Sequence, residues 1–235
     1  MTHQRNISAY ILRLTISVAL LMSSTCAIAQ GGSSKAKQTH VEKNDTTPLF
    51  KGFAVSFDLV GAIQKMVSDY GQYEASLRIN LKDKYFPVFE LGYGMSEHDD
   101  AVTNNYYKAN APYARIGLDF NILKNKHDIY KMFAGFRLAA TSFKYDLYHP
   151  DITDPVWGGS STYSATGVKC SYTWVEAVIG IDAKIWGPFH LGWTARYRSR
   201  MSADEGDYGN CWYVPGFGKR GKTNLGGTFN VTINI

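Results

Sequence analysis

The sequence predicts an all-β protein, an eight-stranded antiparallel up-and-down transmembrane β-barrel. Apolar and polar residues alternate along much of the 235-residue chain, which is the pattern of strands with two unlike faces. Many alternating stretches approach or exceed the roughly 9–11 residues that a tilted strand needs to cross a bilayer, whereas strands of globular proteins average about 5–6. Short turns also alternate with long polar connections, as expected when neighbouring strands run up and down.

The first 29 residues have the organisation of a secretory signal peptide. Met1–Arg13 contains basic residues and no acid, Leu14–Met22 is a short apolar run, and the segment ends in Ala27-Ile28-Ala29. This order predicts cleavage after Ala29. The run is shorter than the roughly 20 apolar residues of a membrane-spanning helix. A lipoprotein signal would use Cys26, but no Leu stands three residues before it.

After this segment the pattern divides into a tail and a barrel domain. Residues 30–51 are rich in Gly, Ser, Lys, Gln and Thr without periodicity, which predicts a flexible N-terminal tail. Residues 52–235 show no internal boundary and no long helical pattern, so we assign them to one transmembrane β-barrel. The predicted strands are, in chain order, Phe53–Ile63, Tyr73–Leu81, Pro87–Met95, Tyr113–Leu123, Tyr130–Ser142, the two arms of Tyr172–Arg200, and Thr223–Ile235.

Each predicted strand has one apolar face. In the first five strands these faces are Phe53, Val55, Phe57 and Leu59; Tyr73, Ala75, Leu77, Ile79 and Leu81; Phe89, Leu91, Tyr93 and Met95; Ala114, Ile116, Leu118, Phe120 and Ile122; and Met132, Ala134, Phe136, Leu138 and Ala140. In the last three they are Val175, Ala177, Ile179, Ile181, Ala183 and Ile185; Leu191, Trp193, Ala195 and Tyr197; and Leu225, Gly227, Phe229, Val231 and Ile233.

The connections follow a regular rhythm. The turns around Lys82, Lys124 and Gly187 are brief, whereas residues 96–112, 144–169 and 201–222 form long polar connections. An even strand number, short turns at one end and long loops at the other are typical of outer-membrane barrels. A soluble eight-stranded barrel of the lipocalin type is the alternative, and it would turn its apolar faces inward around a ligand.

Two observations favour the membrane alternative. Glycines lie on the polar face among large charged residues, which suits a cramped interior; they are Gly92, Gly94, Gly117, Gly135, Gly180, Gly192 and Gly226. Aromatic residues also collect at both strand ends, like the belts at the two interfaces of a bilayer. We assign Tyr73, Tyr93, Tyr113, Tyr172 and Tyr197 to the long-loop end and Phe53, Phe86, Tyr130, Trp186 and Phe189 to the short-turn end.

The polar faces carry six acids and six bases in mid-strand. An eight-stranded barrel has an interior just wide enough for side chains to fill it, and isolated charges there are expensive. We therefore expect these residues to form a salt-bridged, closed lumen, with a narrow ion path as the alternative. The predicted network is Asp58, Glu74, Arg78, Glu90, Arg115, Asp119, Arg137, Glu176, Asp182, Lys184, Arg196 and Arg198.

Two cysteines remain after the signal segment, Cys170 and Cys211, both near long connections. In an oxidising compartment a disulfide between them is expected, and two free, partly buried thiols are the alternative. The pair lacks further ligands at a familiar spacing, so we expect no metal site.

In these features residues 52–235 resemble the small eight-stranded outer-membrane β-barrels of diderm bacteria, of the OmpX/OmpA transmembrane type and of uncharacterised families. The resemblance rests on alternation and loop rhythm. It implies the bacterial outer membrane as the location, outer-membrane lipid including lipopolysaccharide and other outer-membrane proteins as partners, and no cofactor. The basic residues form no stripe, so we expect no nucleic-acid role.

Three functions are compatible with this resemblance. The first is a non-enzymatic subunit of an outer-membrane complex, acting through its outer loops or wall. The second is a surface barrel for adhesion or ligand contact, using Tyr106, Tyr107, Trp157, Trp212 and Tyr213. The third is a lipid A acyl-modifying enzyme, for which His149, Asp151, Ser160 and Ser161 share one loop; no His-x-Ser pair lies on a strand, so we expect no enzyme.

Overall fold

The computed structural model describes residues 48–100, 104–153, 156–206 and 211–235. The predicted signal peptide, its cleavage after Ala29 and most of the predicted tail lie outside these residues. The elements are β1 (Phe50–Asp58), α1 (Leu59–Val67), β2 (Tyr70–Leu81), β3 (Tyr85–Asp100), β4 (Asn105–Asn121), β5 (Tyr130–Thr153), β6 (Ser160–Trp186), β7 (Phe189–Asp204), β8 (Tyr213–Val214), β9 (Gly218–Lys219) and β10 (Thr223–Asn234).

Eight of the strands form a closed antiparallel barrel in the ring order β1-β10-β7-β6-β5-β4-β3-β2. β1 and β10 close the ring, in a register that runs from Ala54↔Asn234 to Asp58↔Asn230. β8 and β9 form a separate two-stranded piece. The predicted fold class, an eight-stranded up-and-down barrel, is confirmed. Closure matters because it leaves few unpaired strand edges.

The barrel buries its charges and exposes its apolar residues. Arg137 is 2% exposed and Asp119 is 0% exposed, whereas Ile181 is 47% and Trp193 57% exposed. The outward apolar side chains form a surface that we call the apolar belt; among its members are Val55, Leu77, Phe89, Leu91, Ile116, Phe136, Leu138, Val175, Ile179, Ile181, Trp193 and Leu225. This inside-out arrangement agrees with the sequence pattern, because successive side chains of a strand point to opposite faces.

Three of the predicted belt aromatics are inside the barrel. Phe86, Tyr113 and Tyr172 are buried, whereas Tyr73 and Tyr197 are exposed as predicted. The prediction used only the position of each aromatic residue near a strand end. It did not consider whether the side chain at that position points into or out of the barrel. In a strand, a shift of one residue moves a side chain to the other face.

Two predicted long loops are mostly strand. β3 and β4 continue pairing to Asp100↔Asn105, and β5 pairs with β6 up to Thr153↔Ser160. These segments are polar overall, but in the first of them alternate residues point into the barrel: Tyr107, Ala109 and Ala111 are buried. These extensions rise beyond the belt as two hairpins.

The first predicted strand ends earlier than expected. Residues 59–63 do not continue β1 but begin α1, because Asp58 accepts hydrogen bonds from the amides of Val60 (3.0 Å) and Gly61 (3.1 Å) and so caps the helix. α1 therefore stands in the barrel wall where the upper part of β1 was predicted. Within the described residues no helix combines the length and the apolarity needed to cross a membrane.

The connection between β7 and β10 folds back into the barrel. Cys211, Tyr213, Val214 and Phe217 are at most 2% exposed. We call residues 211–217 the plug segment. The sequence predicted an outer polar loop here, but this part of it lies inside the ring.

Candidate functional site

The interior of the barrel is filled by two layers of different chemistry. The lower one, which we call the ionic layer, contains ten of the twelve predicted charges, all in ion pairs. Its members are Glu74, Glu90, Asp119, Glu176 and Asp182 with Arg78, Arg115, Arg137, Arg196 and Arg198. Five acids face five bases, so the layer is close to neutral.

Arg196 spans the lumen. Its Nη1 lies 2.7 Å from Oε2 of Glu90, and its Nη2 lies 2.9 Å from Oε1 of Glu74. Arg196 is on β7 and Glu90 on β3, which stand four places apart in a ring of eight strands. This ion pair therefore joins opposite walls of the barrel.

Arg137 ties three strands together. Its guanidinium donates two hydrogen bonds to the carboxylate of Asp119, at 2.6 and 2.9 Å, and its Nε donates to Glu90 at 3.1 Å. A paired contact of this kind fixes orientation as well as distance.

Arg115 and Arg198 connect the ionic layer to the plug segment. Arg115 pairs with Glu74 and, at 2.9 Å, with Glu176, and it donates a 2.8 Å hydrogen bond to the carbonyl of Gly216. Arg198 pairs with Glu176 at 3.3 Å and donates to the carbonyl of Phe217 at 2.9 Å. The inward fold of residues 211–217 thus satisfies guanidinium groups of the layer.

Two predicted members of the network are elsewhere. Asp58 caps α1, and within the described residues it makes no ion pair. Lys184 is exposed near the short turns and, in the same part of the chain, also makes none. One acid and one base are lost, so the charge balance is kept. Alternation placed Lys184 on the inner face, but its position at the end of the strand lets its long side chain reach water.

The sequence argument also missed members of the site. His190 lies 2.5 Å from Asp182, Tyr113 donates to Glu74 at 2.7 Å, and Trp174 donates to Glu176 at 2.7 Å. His190 stands between the apolar residues Phe189 and Leu191, so the alternation of apolar and polar residues would have placed it on the inner face. The carbonyls of the plug segment have no comparable signal in the sequence.

Above the ionic layer lies an aromatic layer. Phe217 packs edge-on against Trp174, with ring centroids 5.7 Å apart, and the hydroxyl of Tyr107 donates to the carbonyl of Tyr213 at 2.7 Å. The buried residues of this layer are Tyr107, Ala109, Ala111, Tyr113, Ala139, Phe143, Tyr145, Leu147, Ala165, Cys170, Tyr172, Trp174, Cys211, Tyr213, Val214 and Phe217. Tyr107 and Tyr213, predicted as surface contacts, therefore belong to the core.

Cys170 and Cys211 are both free and buried in the aromatic layer, so the expected disulfide is absent from this structure. Cys170 is 3% exposed and Cys211 1% exposed, so reagents in solution have little access to either thiol. In the described residues no group of three or more His, Cys, Asp or Glu is placed to hold a metal ion.

The short-turn end carries a smaller charge cluster around Asp83. This carboxylate pairs with Lys51 and with His127 at 2.9 Å, and accepts from the side-chain amide of Asn80 at 2.7 Å. Burial acts to raise the pKa of Asp83, but the hydrogen bonds from these three neighbours outweigh it and hold the pKa well below the ordinary value.

Of the four residues considered for lipid A chemistry, the structure describes the side chains of His149, Ser160 and Ser161. Nδ1 of His149 lies 2.5 Å from the carbonyl oxygen of Pro150, and His149 stands opposite Tyr163 in the β5–β6 register. Ser160 and Ser161 are exposed, and the side chain of Asp151 lies outside the described residues. The histidine and the two serines lie on the outer hairpin, away from the apolar belt.

Comparisons with known proteins give one family and several structures. The model of a domain of unknown function, DUF6048, matches residues 11–235. No curated protein matches the sequence.

Three solved structures of outer-membrane proteins are similar to this chain. Ail, the attachment invasion locus protein of Yersinia pestis, solved with the heparin analogue sucrose octasulfate, is 9% identical, with a TM-score of 0.36 over 78% of this chain and 93% of Ail. Neisserial surface protein A is 13% identical, with a TM-score of 0.40 over 79% and 99% of the two chains. A major outer membrane protein from Thermus thermophilus is 10% identical, with a TM-score of 0.43 over 78% and 99%. The fold assignment itself rests on the strand register of this chain.

Proposed function

This chain belongs to the DUF6048 family, and we propose that it is a non-enzymatic, non-conducting barrel of the bacterial outer membrane that acts as an interaction subunit. Its partners in this proposal are the surrounding lipid, including lipopolysaccharide, and another outer-membrane protein.

The apolar belt supports the membrane location. A soluble protein rarely exposes a continuous apolar surface of more than a few hundred square ångströms, whereas this barrel exposes one on strand after strand. The barrel strands have 9 residues or more, which meets the roughly 9–11 that a tilted strand needs. Paired backbone groups in a closed ring are also the condition for strands in lipid.

The Arg196–Glu90 ion pair across the lumen is the observation that supports a non-conducting barrel. Ion flow would require this pair to separate and the plug segment above it to leave. We expect planar bilayer recordings of the purified protein to show no large, stable conductance. Stable channels of reproducible size would overturn this part of the proposal.

The hairpin formed by residues 144–169, which we call the outer arm, supports an interaction role. At about 3.4 Å per residue its strands reach on the order of 30 Å beyond Phe143. Tyr145 and Leu147 turn inward to the aromatic layer, so the arm is anchored. At its tip Val156 is 76% and Trp157 87% exposed. An anchored arm with exposed apolar residues at its tip suits a protein partner.

Purification from native membranes in mild detergent tests this role. We expect a stoichiometric partner with the wild-type chain and its loss with the double variant Val156→Ser, Trp157→Ser. Met201→Ser is the matched control, because Met201 is 64% exposed on β7, away from the arm tip. A barrel that always purifies alone contradicts the subunit role and favours surface display. Fatty acid released from lipid A, and lost with His149→Ala, would contradict the non-enzymatic role.

A further inference from the structure

The barrel wall has an opening on one side of α1. β10 pairs with β7 from Thr223 to Ile233, but it pairs with β1 only from Asn230 to Asn234. Above Asn230, on the side of β1, the edge of β10 therefore faces α1 and no strand. A strand edge that faces no other strand is unusual in a barrel, because closure normally removes such edges. Here the amide of Phe229 donates to the carboxylate of Asp58 at 3.2 Å.

α1 packs more closely against β2 than against β10. A β-carbon at Gly61 would come within 2.5 Å of the carbonyl oxygen of Gln72, and one at Gly71 within 2.5 Å of the nitrogen of Lys65. Helix and strand thus touch through two glycines. A β-carbon at Gly227 on β10 would meet only a carbonyl oxygen of β7, at 3.5 Å, which is an ordinary contact.

Between α1 and β10 lies a groove with a cavity of about 340 Å³, within the usual size range of ligand pockets. Val60, Leu225 and Gly227 line it at the level of the apolar belt, and all three are exposed. Arg198, which is buried, and Lys219, which is exposed, also line it. The groove therefore combines apolar and basic side chains.

The two cations line the same groove. A β-carbon at Gly226 would lie 2.9 Å from Nη2 of Arg198, so the guanidinium packs directly against the backbone of β10 beside the groove. Lys219 holds its ammonium over the rings of Tyr70 and Trp212. Asp58 also lines the groove, and both of its carboxylate oxygens accept hydrogen bonds from backbone amides, those of Val60, Gly61 and Phe229.

We propose that the groove between α1 and β10 binds a phosphate-bearing lipid from the surrounding bilayer, with the phosphate between Arg198 and Lys219 and an acyl chain leaving past Val60 and Leu225. The proposal rests on the membrane location proposed above. Charge complementarity carries it: two basic groups line the same groove as exposed apolar residues of α1 and β10, which matches a lipid with an anionic head group and an apolar chain.

Native mass spectrometry of the full chain in neutral detergent tests this site. The probes are dioleoyl phosphatidic acid, dioleoylglycerol, which lacks the phosphate, and inorganic phosphate. We expect phosphatidic acid to bind at least tenfold more tightly than dioleoylglycerol, and inorganic phosphate not to bind. Equal affinity for the two lipids would overturn the proposal, and binding of inorganic phosphate alone would show a plain anion site instead.

Two tryptophan variants locate the lipid. Gly227→Trp fills the groove and should weaken phosphatidic acid binding at least tenfold. Ala195→Trp is the matched control, because Ala195 stands opposite Gly227 on the exposed face of β7 but does not line the groove. Equal loss in both variants would overturn the assignment.

Lys219→Gln removes one cation at an exposed position, so folding should be unaffected. It should weaken binding of phosphatidic acid and leave dioleoylglycerol unchanged. Unchanged binding of both lipids would contradict the role of Lys219. These tests use no partner protein, so their failure is distinct from failure of the subunit role.

Discussion

The ionic layer and the aromatic layer lie inside the same barrel, but their side chains come from different parts of the chain. The ionic layer is built by six neighbouring barrel strands, β2 to β7, each of which contributes charges at positions set by its register. The aromatic layer depends on the plug segment, which enters from a connection. The ionic layer is therefore built entirely from side chains of barrel strands, whereas the aromatic layer also needs side chains of a connecting segment.

This difference predicts different responses to damage. Removing one partner of a buried ion pair leaves an uncompensated charge, which is costly to the whole fold. Removing an anchor of the plug segment should loosen that segment first, because connections open more easily than the strands that hold them.

The largest effect is expected for Arg196→Ala. The substitution leaves Glu90 and Glu74 without the arginine that spans the lumen, and should lower the free energy of unfolding by about 3–5 kcal/mol. Urea unfolding of the barrel in detergent, followed by circular dichroism, measures it. Lys184→Ala is the control, since Lys184 is exposed, and should change it by less than about 0.5 kcal/mol. Equal effects of the two substitutions would show that the ionic layer is not a structural unit.

A local effect is expected for Phe217→Ala. Phe217 packs on Trp174 and Tyr172, so its loss should release the plug segment and expose Cys211 without unfolding the strands. In a Cys170→Ser background, alkylation of Cys211 should become at least tenfold faster than with Phe217 present. If Arg196→Ala accelerates alkylation as much while the barrel stays folded, the two layers are one unit and the comparison fails.

The smallest effect is expected for pH at the short-turn end, outside both layers. Since the pKa of Asp83 is lower in the folded protein than in the unfolded chain, its stabilisation is present above about pH 4 and is lost as the pH falls below that value. The wild type should lose more stability than Asp83→Asn between about pH 5 and pH 3. Asp128→Asn in the neighbouring turn should behave like the wild type. The same acid dependence in all three would rule out this role for Asp83.

The ionic layer was largely predictable, whereas the lipid groove was not. Glu90, Arg115 and Glu176 follow from alternation, since parity along a strand decides the face. Alternation wrongly placed Asp58 in the ionic layer, because it predicted a strand through residues that form α1. The carboxylate of Asp58 instead caps this helix. Alternation describes each strand separately. It therefore could not show that β10 extends beyond the last residue of β1 that pairs with it.

The sequence by itself determined the number of barrel strands, their two faces and most of the charged residues of the ionic layer, because the two-residue period of a strand is a local property of the backbone. Only the tertiary structure decided which charges meet, that residues 211–217 turn inward, and that α1 leaves an opening beside β10. These features depend on ring closure and on contacts between residues distant in sequence, such as Arg196 with Glu90, which no local pattern specifies.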